Sequence, residues 1–287
     1  MAVNAYRTSI GQKIEGGRVQ ECLDKAMKRP DGVSEREFWD RHCPPLPPNH
    51  EVTENEPEAL TSLDWRPHRG LVRANWTEKD WRMHRWAYAR LTERVDAEIG
   101  RVLEALRDTG LERDTVVVFT SDHGDLDAAH RLEQKSMPYE ECVRVPFIVS
   151  GRGVTRGGAV DREHLVSSGL DLIPTLCDYA GVQLPGQSLG KSVRRLAEGA
   201  TSEDWRTHLV VENQQFRMLH LGRTKYVAYD HGRRREHYMD LEKDPGETRN
   251  FAGDAAYEAQ VREGRRLLKE WYRARGLKLD AKYVVEG

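Results

Sequence analysis

The run Thr115-Val116-Val117-Val118-Phe119-Thr120, followed at once by Ser121-Asp122-His123-Gly124-Asp125, constrains this chain more than any other segment. All six residues of the run are β-branched or aromatic, with no polar alternation, so the pattern predicts a short strand buried on both faces of an α/β sheet. A parallel strand in such a sheet aims its C-terminal end at the ligand crevice. Asp122 and His123 are therefore expected at a rim, with Gly124 allowing a sharp turn. The run is preceded by Thr77-Glu78-Lys79-Asp80, a capping-box-like start. Tyr88, Leu91, Val95, Ile99, Val102 and Leu106 follow at steps of three and four, which predicts one apolar face of a long helix. Gly110 is its expected stop.

Val145-Pro146-Phe147-Ile148-Val149 predicts a second strand, with Pro146 favouring a strand start or edge. A helix is expected over 170–180, with Leu172, Ile173, Leu176 and Cys177 inward and Pro174 in its first turn. Beyond residue 200 the alternation of helix and strand gives way to short strands at Leu209–Val211, Arg217–His220, Lys225–Tyr229 and His237–Leu241. A closing helix over 255–275 is apolar at Val261, Leu267, Leu268 and Trp271. The expected organisation is an arm or linker over 1–76 with one helix near Val19–Met27, an α/β region over 77–200, and a small α+β subdomain over 201–287. Cys43-Pro44-Pro45-Leu46-Pro47-Pro48 has to be extended, because proline disfavours helix at itself and at the preceding residue.

Composition narrows the function. Lysine plus arginine number 45 and aspartate plus glutamate 47, for a net charge of -2 over 287 residues. Such a balance gives no polyanion-binding surface, so no nucleic-acid partner is expected. No apolar run is long enough to span a membrane. Residues 1–7 lack the apolar core of a secretory leader, which makes a cytoplasmic location the default expectation. Cys22, Cys43, Cys142 and Cys177 have no spacing that suggests zinc or a disulfide framework. Trp65, Trp76, Trp81 and Trp86 could line a sugar site or pack against the long helix. Arg233-Arg234-Arg235 reads as a solvated turn, and the glycine-rich stretch 151–158 as a loop.

Asp122 and His123 offer a carboxylate oxygen and an imidazole nitrogen to a divalent cation. Lys135 offers a positive charge to a nearby anionic oxygen. The segment Thr120-Ser121-Asp122-His123-Gly124-Asp125, with His130, Lys135, Tyr139-Glu140-Glu141 and Arg144-Val145-Pro146, resembles a signature region of the sulfatase family in the alkaline phosphatase superfamily. Glu93 to Leu103, Asp171 to Leu176 with Ala180-Gly181-Val182, and Tyr238 to Glu247 with Asn250 resemble later and earlier blocks of that family in the same order. The resemblance implies a partial alkaline-phosphatase-like sheet flanked by helices, and sulfuric ester hydrolysis of a sulfated small molecule or carbohydrate. It implies Asp122 and His123 as ligands of Ca2+ or Mg2+. It makes Lys135 a contact to a sulfate or leaving oxygen, and His130 a further catalytic candidate or a structural hydrogen-bonding residue.

The family's formylglycine motif, Cys-x-Pro/Ser-x-Arg, and its adjacent aspartate pair are not encoded. Cys43-Pro44-Pro45-Leu46-Pro47 has proline where arginine is needed, and the chain contains no Asp-Asp pair. A chain inactive by itself, with weak metal binding, is therefore expected. A phosphodiesterase or phosphonate hydrolase of the same superfamily, or a non-catalytic remnant, are the alternatives. The sequence leaves the oligomeric state open.

Overall fold

Thr77 starts the longest element. Its hydroxyl accepts from the Asp80 amide while the Asp80 carboxylate accepts from the Thr77 amide at 2.8 Å, a complete capping box. The computed structural model describes residues 18–62, 66–151 and 153–286. Within them, α1 is Arg18–Met27, α2 is Pro67–Asn75 and α3 is Glu78–Asp108. At 1.5 Å per residue, α3 is about 46 Å long, and the left-handed Gly110 follows its end. Trp81, Trp86 and Ala87 in its first third are buried. Trp76 and Trp81 meet edge to face at 4.8 Å, and Phe38 meets Trp86 at 5.1 Å. These tryptophans pack rather than line a sugar site, while Trp65 lies outside the described residues. The expected apolar stripe is there, but Tyr88, Val95 and Val102 are exposed.

The stretch before α2, expected as an arm, is built into the molecule. Phe38, Cys43, Thr53, Glu56, Ala59 and Leu60 are buried. The prolines leave backbone carbonyls with no ladder to join, and two guanidiniums of α3 take them up. Arg82 donates to the carbonyls of Trp39, Cys43 and Pro44, and Arg85 to that of Pro45. His50 Nδ1 lies 2.7 Å from the Ala128 carbonyl, and Glu54 forms a bridge with Arg249. Polar side chains tie this stretch down through distant backbone, which no hydrophobic period reports.

Strands β1 (Val117–Thr120) and β2 (Phe147–Ser150) pair antiparallel, Val117 opposite Ser150 and Thr120 opposite Phe147. The first strand was expected to be parallel and buried on both faces. Among the described residues it has this one neighbour, and Phe119 is exposed. Between the strands lies α4 (Glu140–Val143), and after them α5 (Ser168–Ala180). In α5 the inward face is shifted from the expected one, with Leu172 and Cys177 half-buried. Asp171, Pro174 and Thr175 are buried, whereas Ile173 and Leu176 face out. The buried carboxylate of Asp171 accepts two bonds from Arg206 and two from the amides of Ser167 and Lys191. A fully bonded ion pair has taken the place that the sequence period assigned to leucine.

The C-terminal part is an antiparallel meander of β3 (Leu209–Glu212), β4 (Phe216–His220), β5 (Thr224–Tyr229) and β6 (Glu236–Asp240), covered by α6 (Glu258–Arg273). Val261, Leu268 and Tyr272 of α6 pack on Leu219, Tyr226 and Tyr238 of the sheet. The other face of the sheet, through Phe216, Met218, Val227 and Met239, shares one core with Leu126, Leu132, Met137 and Cys142. Regions divided near residue 200 in the sequence thus bury their side chains together. The three arginines 233–235 turn between β5 and β6. Two of them hold the early stretch, Arg233 on Glu58 and Arg234 on the Glu56 carbonyl.

Gly264 of α6 and Gly100 of α3 predict opposite outcomes for one substitution. A Cβ at Gly264 would lie 2.5 Å from Tyr226 Cγ, while one at Gly100 meets nothing within 4 Å. Gly264→Ala should lower the unfolding free energy by about 1–3 kcal/mol. Gly100→Ala should raise it by about 0.5–1 kcal/mol through helix propensity. Urea titrations of the two variants check this, and equal midpoints would contradict the α6–β5 packing.

Candidate active site

Just beyond β1 the backbone closes on itself. The His123 amide donates to Asp122 Oδ1 at 3.0 Å, and the Ser121 hydroxyl donates to the His123 carbonyl at 2.8 Å. The Gly124 amide donates to the Cys142 carbonyl at 2.8 Å. A Cβ on Gly124 would sit 1.9 Å from the Glu141 carbonyl oxygen, so only glycine lets α4 approach this closely. Asp122 is exposed and His123 half-buried. Desolvation opposes ionisation of Asp122, but His123, nearby amides and Lys135 outweigh it and hold its carboxyl below the usual value.

Lys135 completes the cluster. Its Nζ lies 2.6 Å from His123 Nε2, which is 3.3 Å from Asp122 Oδ2. His123 Nδ1 lies 2.9 Å from the Gly124 carbonyl. A carbonyl can only accept, so Nδ1 carries the proton and Nε2 presents its lone pair to the lysine. The three side chains named from the sequence meet at one wall of a cleft of about 1600 Å³, which Arg144 and His220 also line.

Lys135 is placed by a tightly wound loop. Of the nine non-glycine residues with positive φ among the described residues, six fall between 127 and 136: Asp127, Ala128, His130, Arg131, Gln134 and Ser136. Such backbone is costly and persists only where surroundings over-determine it. Here Leu126, Ala128, Ala129, Leu132 and Met137 are buried, and Leu126 and Ala128 donate to Gln134 and Leu132 across the loop. Two guanidiniums from α2 cap it. Arg69 donates to the Lys135 carbonyl and Arg73 to the His130 carbonyl, while Arg73 also clamps Glu56 with two bonds.

His130 is in the same loop but does not line the cleft. Its ring is fully buried and stacks on Tyr139 at 3.7 Å. Nδ1 faces the Thr53 hydroxyl at 3.0 Å and Nε2 faces the Asn49 amide at 3.4 Å. Burial first, then the charges of Arg73 and Lys225, push its pKa down to about 3, so the ring is neutral.

Behind the cleft, the fully buried Lys225 of β5 is set between two carboxylates. Its Nζ lies 2.8 Å from Glu140, 2.6 Å from Glu247 and 2.9 Å from the Pro138 carbonyl. His220 Nε2 reaches the same Glu140 oxygen at 3.3 Å. No sequence pattern marked Lys225, because a lysine in a strand reads as a solvent-facing position. Burial opposes ionisation of Glu140, yet His220 and Lys225 hold its pKa at about 2. Burial pushes Glu247 up to about 7 despite Lys225.

Asp122 Oδ2 and His123 Nε2 are close enough to share one cation, but among the described residues no group of three or more His, Cys, Asp or Glu side chains could hold a metal. A hard divalent ion takes about six or more oxygens. The residues present therefore fit one corner of a metal shell and not a whole one. Nor do the buried cysteines suit a nucleophile. Cys43 donates to the Arg82 carbonyl at 3.3 Å and burial raises its pKa; burial pushes Cys142 up to about 12.

The two carboxylates on Lys225 give a pH signature. Glu247 binds its proton more tightly folded than unfolded, so its contribution is present at acid pH and lost as pH rises from about 4.5 toward about 7. Glu140 does the reverse, stabilising above about 4.5 and losing that contribution as pH falls toward about 2. Urea unfolding across pH should show both limbs. Glu247→Gln should flatten the upper one and leave the acid one, and an unchanged upper limb would contradict the assignment.

Residues 42–182 match the family model described as Sulfatase, and residues 128–273 match N-sulphoglucosamine sulphohydrolase, C-terminal. Over 254 residues the chain is 33% identical to the Delta 4,5-hexuronate-2-O-sulfatase of Bacteroides thetaiotaomicron, an alignment covering 83% of this chain and 53% of that protein. The structure of a 2-O GAG sulfatase superposes with a TM-score of 0.75 at 28% identity, over 94% of this chain and 64% of that one. A phosphonate monoester hydrolase from Silicibacter pomeroyi superposes with a TM-score of 0.61 at 27% identity, over 72% of this chain and 43% of that one. The chain thus spans about half the length of the curated relative it matches. With the Asp122–His123–Lys135 cluster on a sheet and helix frame shared with these proteins, the chain belongs to the sulfatase family, hydrolases of the alkaline phosphatase superfamily.

Proposed function

We propose that this chain carries one side of a sulfuric ester hydrolase site, and that its substrate is a sulfated carbohydrate. The observation that carries this reading is the convergence of Asp122, His123 and Lys135 on one cleft wall. Lys135 is the anion-facing group: its ammonium neutralises charge on a sulfate or leaving oxygen. Asp122 and His123 offer two donors to a divalent cation, Ca2+ or Mg2+ in this reading. The bond to the Gly124 carbonyl fixes His123 in the tautomer whose Nε2 bears the lone pair, which Lys135 occupies here and which a cation would take over. His130 acts by holding the loop that presents Lys135, through Thr53, Asn49 and Tyr139, and not by touching substrate. The sulfated carbohydrate follows the relatives, one named a hexuronate-2-O-sulfatase and one a 2-O GAG sulfatase. The likeness to a phosphonate monoester hydrolase supports a second reading, in which the same cluster faces a phosphoryl group.

Two donors and two buried thiols do not make a complete catalyst, and parts that act as a unit fail together. The 287-residue chain alone should therefore release no product above background from a chromogenic aryl sulfate, even with calcium and a formylglycine-generating enzyme. Turnover lost in both Asp122→Ala and Cys43→Ala would overturn this and make Cys43 the nucleophile. Turnover of a chromogenic phosphonate ester that survives Cys43→Ala would favour the second reading.

Binding tests the site itself. Calcium should bind at millimolar strength or weaker and fail to bind Asp122→Ala. Inorganic sulfate should shift the His123 ring signals by NMR, and Lys135→Met should abolish the shift. Sulfate that leaves His123 unmoved in the intact chain would remove the cluster from the proposed role.

A further inference from the structure

Two carboxylates sit on the buried ammonium of Lys225, where charge balance needs one. Glu247, 1% exposed, supplies a buried partner at 2.6 Å. Glu140, at 2.8 Å, is 23% exposed and lines the cleft that holds Asp122, His123 and Lys135. Its carboxylate is held at a single oxygen: Oε1 faces both Lys225 and His220 Nε2. The Gly222 amide donates to His220 Nδ1 at 3.1 Å, so Nε2 carries the ring proton and donates to Oε1. The Glu140 amide donates to Glu247 Oε2 at 2.6 Å, which fixes the backbone end as well. The other oxygen, Oε2, has no bond among the described residues and is not closed off from solvent. Desolvation opposes ionisation of Glu140, but His220 and Lys225 outweigh it. The group is therefore a fixed, acceptor-only oxygen that opens on the cleft.

We propose that Glu140 is a specificity residue for the carbohydrate, its Oε2 accepting a hydrogen bond from a sugar hydroxyl while the sulfate group faces Lys135. This rests on the sulfated-carbohydrate reading above and adds to it the group that reads the sugar. The two contacts lie within reach of one ligand. The Glu141 carbonyl packs against Gly124, so the Cα atoms of Glu140 and His123 are at most about 14 Å apart, which a short oligosaccharide spans. A hydroxyl donates well to an ionised carboxylate. The same oxygen repels a carboxylate or a second sulfate, so the substrate presents an unsulfated hydroxyl at this place. Lys225 and His220 do not touch the sugar. They pin Oε1, so that Oε2 is already aimed before the ligand arrives.

The test is NMR on the full chain, isotope-labelled at its glutamate carboxyl carbons. It is titrated with inorganic sulfate, with glucose 2-sulfate and glucose 6-sulfate, and with cellobiose 6-sulfate. Inorganic sulfate should shift the His123 ring signals and leave the Glu140 carboxyl signal in place. At least one sugar sulfate should shift both, and should bind about tenfold more tightly than inorganic sulfate, the worth of a hydrogen bond to a charged group. Glu140→Gln should erase that preference and bind inorganic sulfate as the parent chain does. If that variant fails to fold, the Glu140 signal of the parent chain still decides. Sugar sulfates that shift His123 and leave Glu140 unmoved would overturn the proposal and keep the sulfate site. A folded Glu140→Gln chain that retains the preference would overturn it too. If every probe leaves His123 unmoved, the functional reading falls, and this proposal with it.

Discussion

The buried ammonium of Lys225 is the interaction on which the site depends. A charge removed from water without partners costs several kcal/mol, so β5 can close only when Glu140, Glu247 and the Pro138 carbonyl are all in place. That requirement ties three distant stretches together: the C-terminal sheet, the start of α4, and the loop after β6. The early stretch joins through Thr53, which donates to the Glu247 carbonyl, and through Asn49, which donates to Glu141 and the Gly246 carbonyl. Once α4 is fixed, its Cys142 carbonyl receives the Gly124 amide and tethers the Asp122–His123 turn. A chain of ordinary contacts therefore runs from Lys225 to the residues proposed to carry the chemistry.

The loop from Asp125 to Met137 is held by the same means. Left-handed backbone at six non-glycine positions would unwind on its own. Buried apolar residues anchor its floor, and Arg69 and Arg73 of α2 cap carbonyls that the winding leaves without partners. The outcome is a lysine delivered against an imidazole across twelve residues of chain, with its supporting groups buried. Supported geometry of this kind is what a functional site requires. The other side of the cluster is different. There the frame ends in two short strands, with Phe119 and Ile148 exposed.

Much of this was legible in the sequence, for stated reasons. The capping box and apolar period located α3, the β-branched run located β1, and turn residues divided the C-terminal meander almost to the residue. Asp122, His123 and Lys135 were legible because a strand end, a glycine turn and a cation at short range are local features. The stretch from 38 to 62 was not. Its order comes from guanidiniums, Asn49 and Thr53 bonding to remote backbone, and such bonds leave no period. Lys225 was hidden for the same reason, since its partners lie 85 and 22 positions away in the chain. The burial of His130 was equally hidden, because Thr53, Asn49 and Tyr139 come to it from different segments.

The sequence by itself determined which residues could be helix, strand or turn, which positions of each element are apolar, and which side chains are candidates for chemistry. Those are consequences of local sterics and of spacing along the chain. Only the tertiary structure decided which apolar sides are covered: α6 buries its face on the sheet, while α5 turns Asp171 inward to Arg206 and leaves Ile173 and Leu176 outside. Only it showed that residues on either side of position 200 share one core. The physical reason is that periodicity is a property of one segment, whereas burial and charge pairing are properties of two or more segments brought together by the fold.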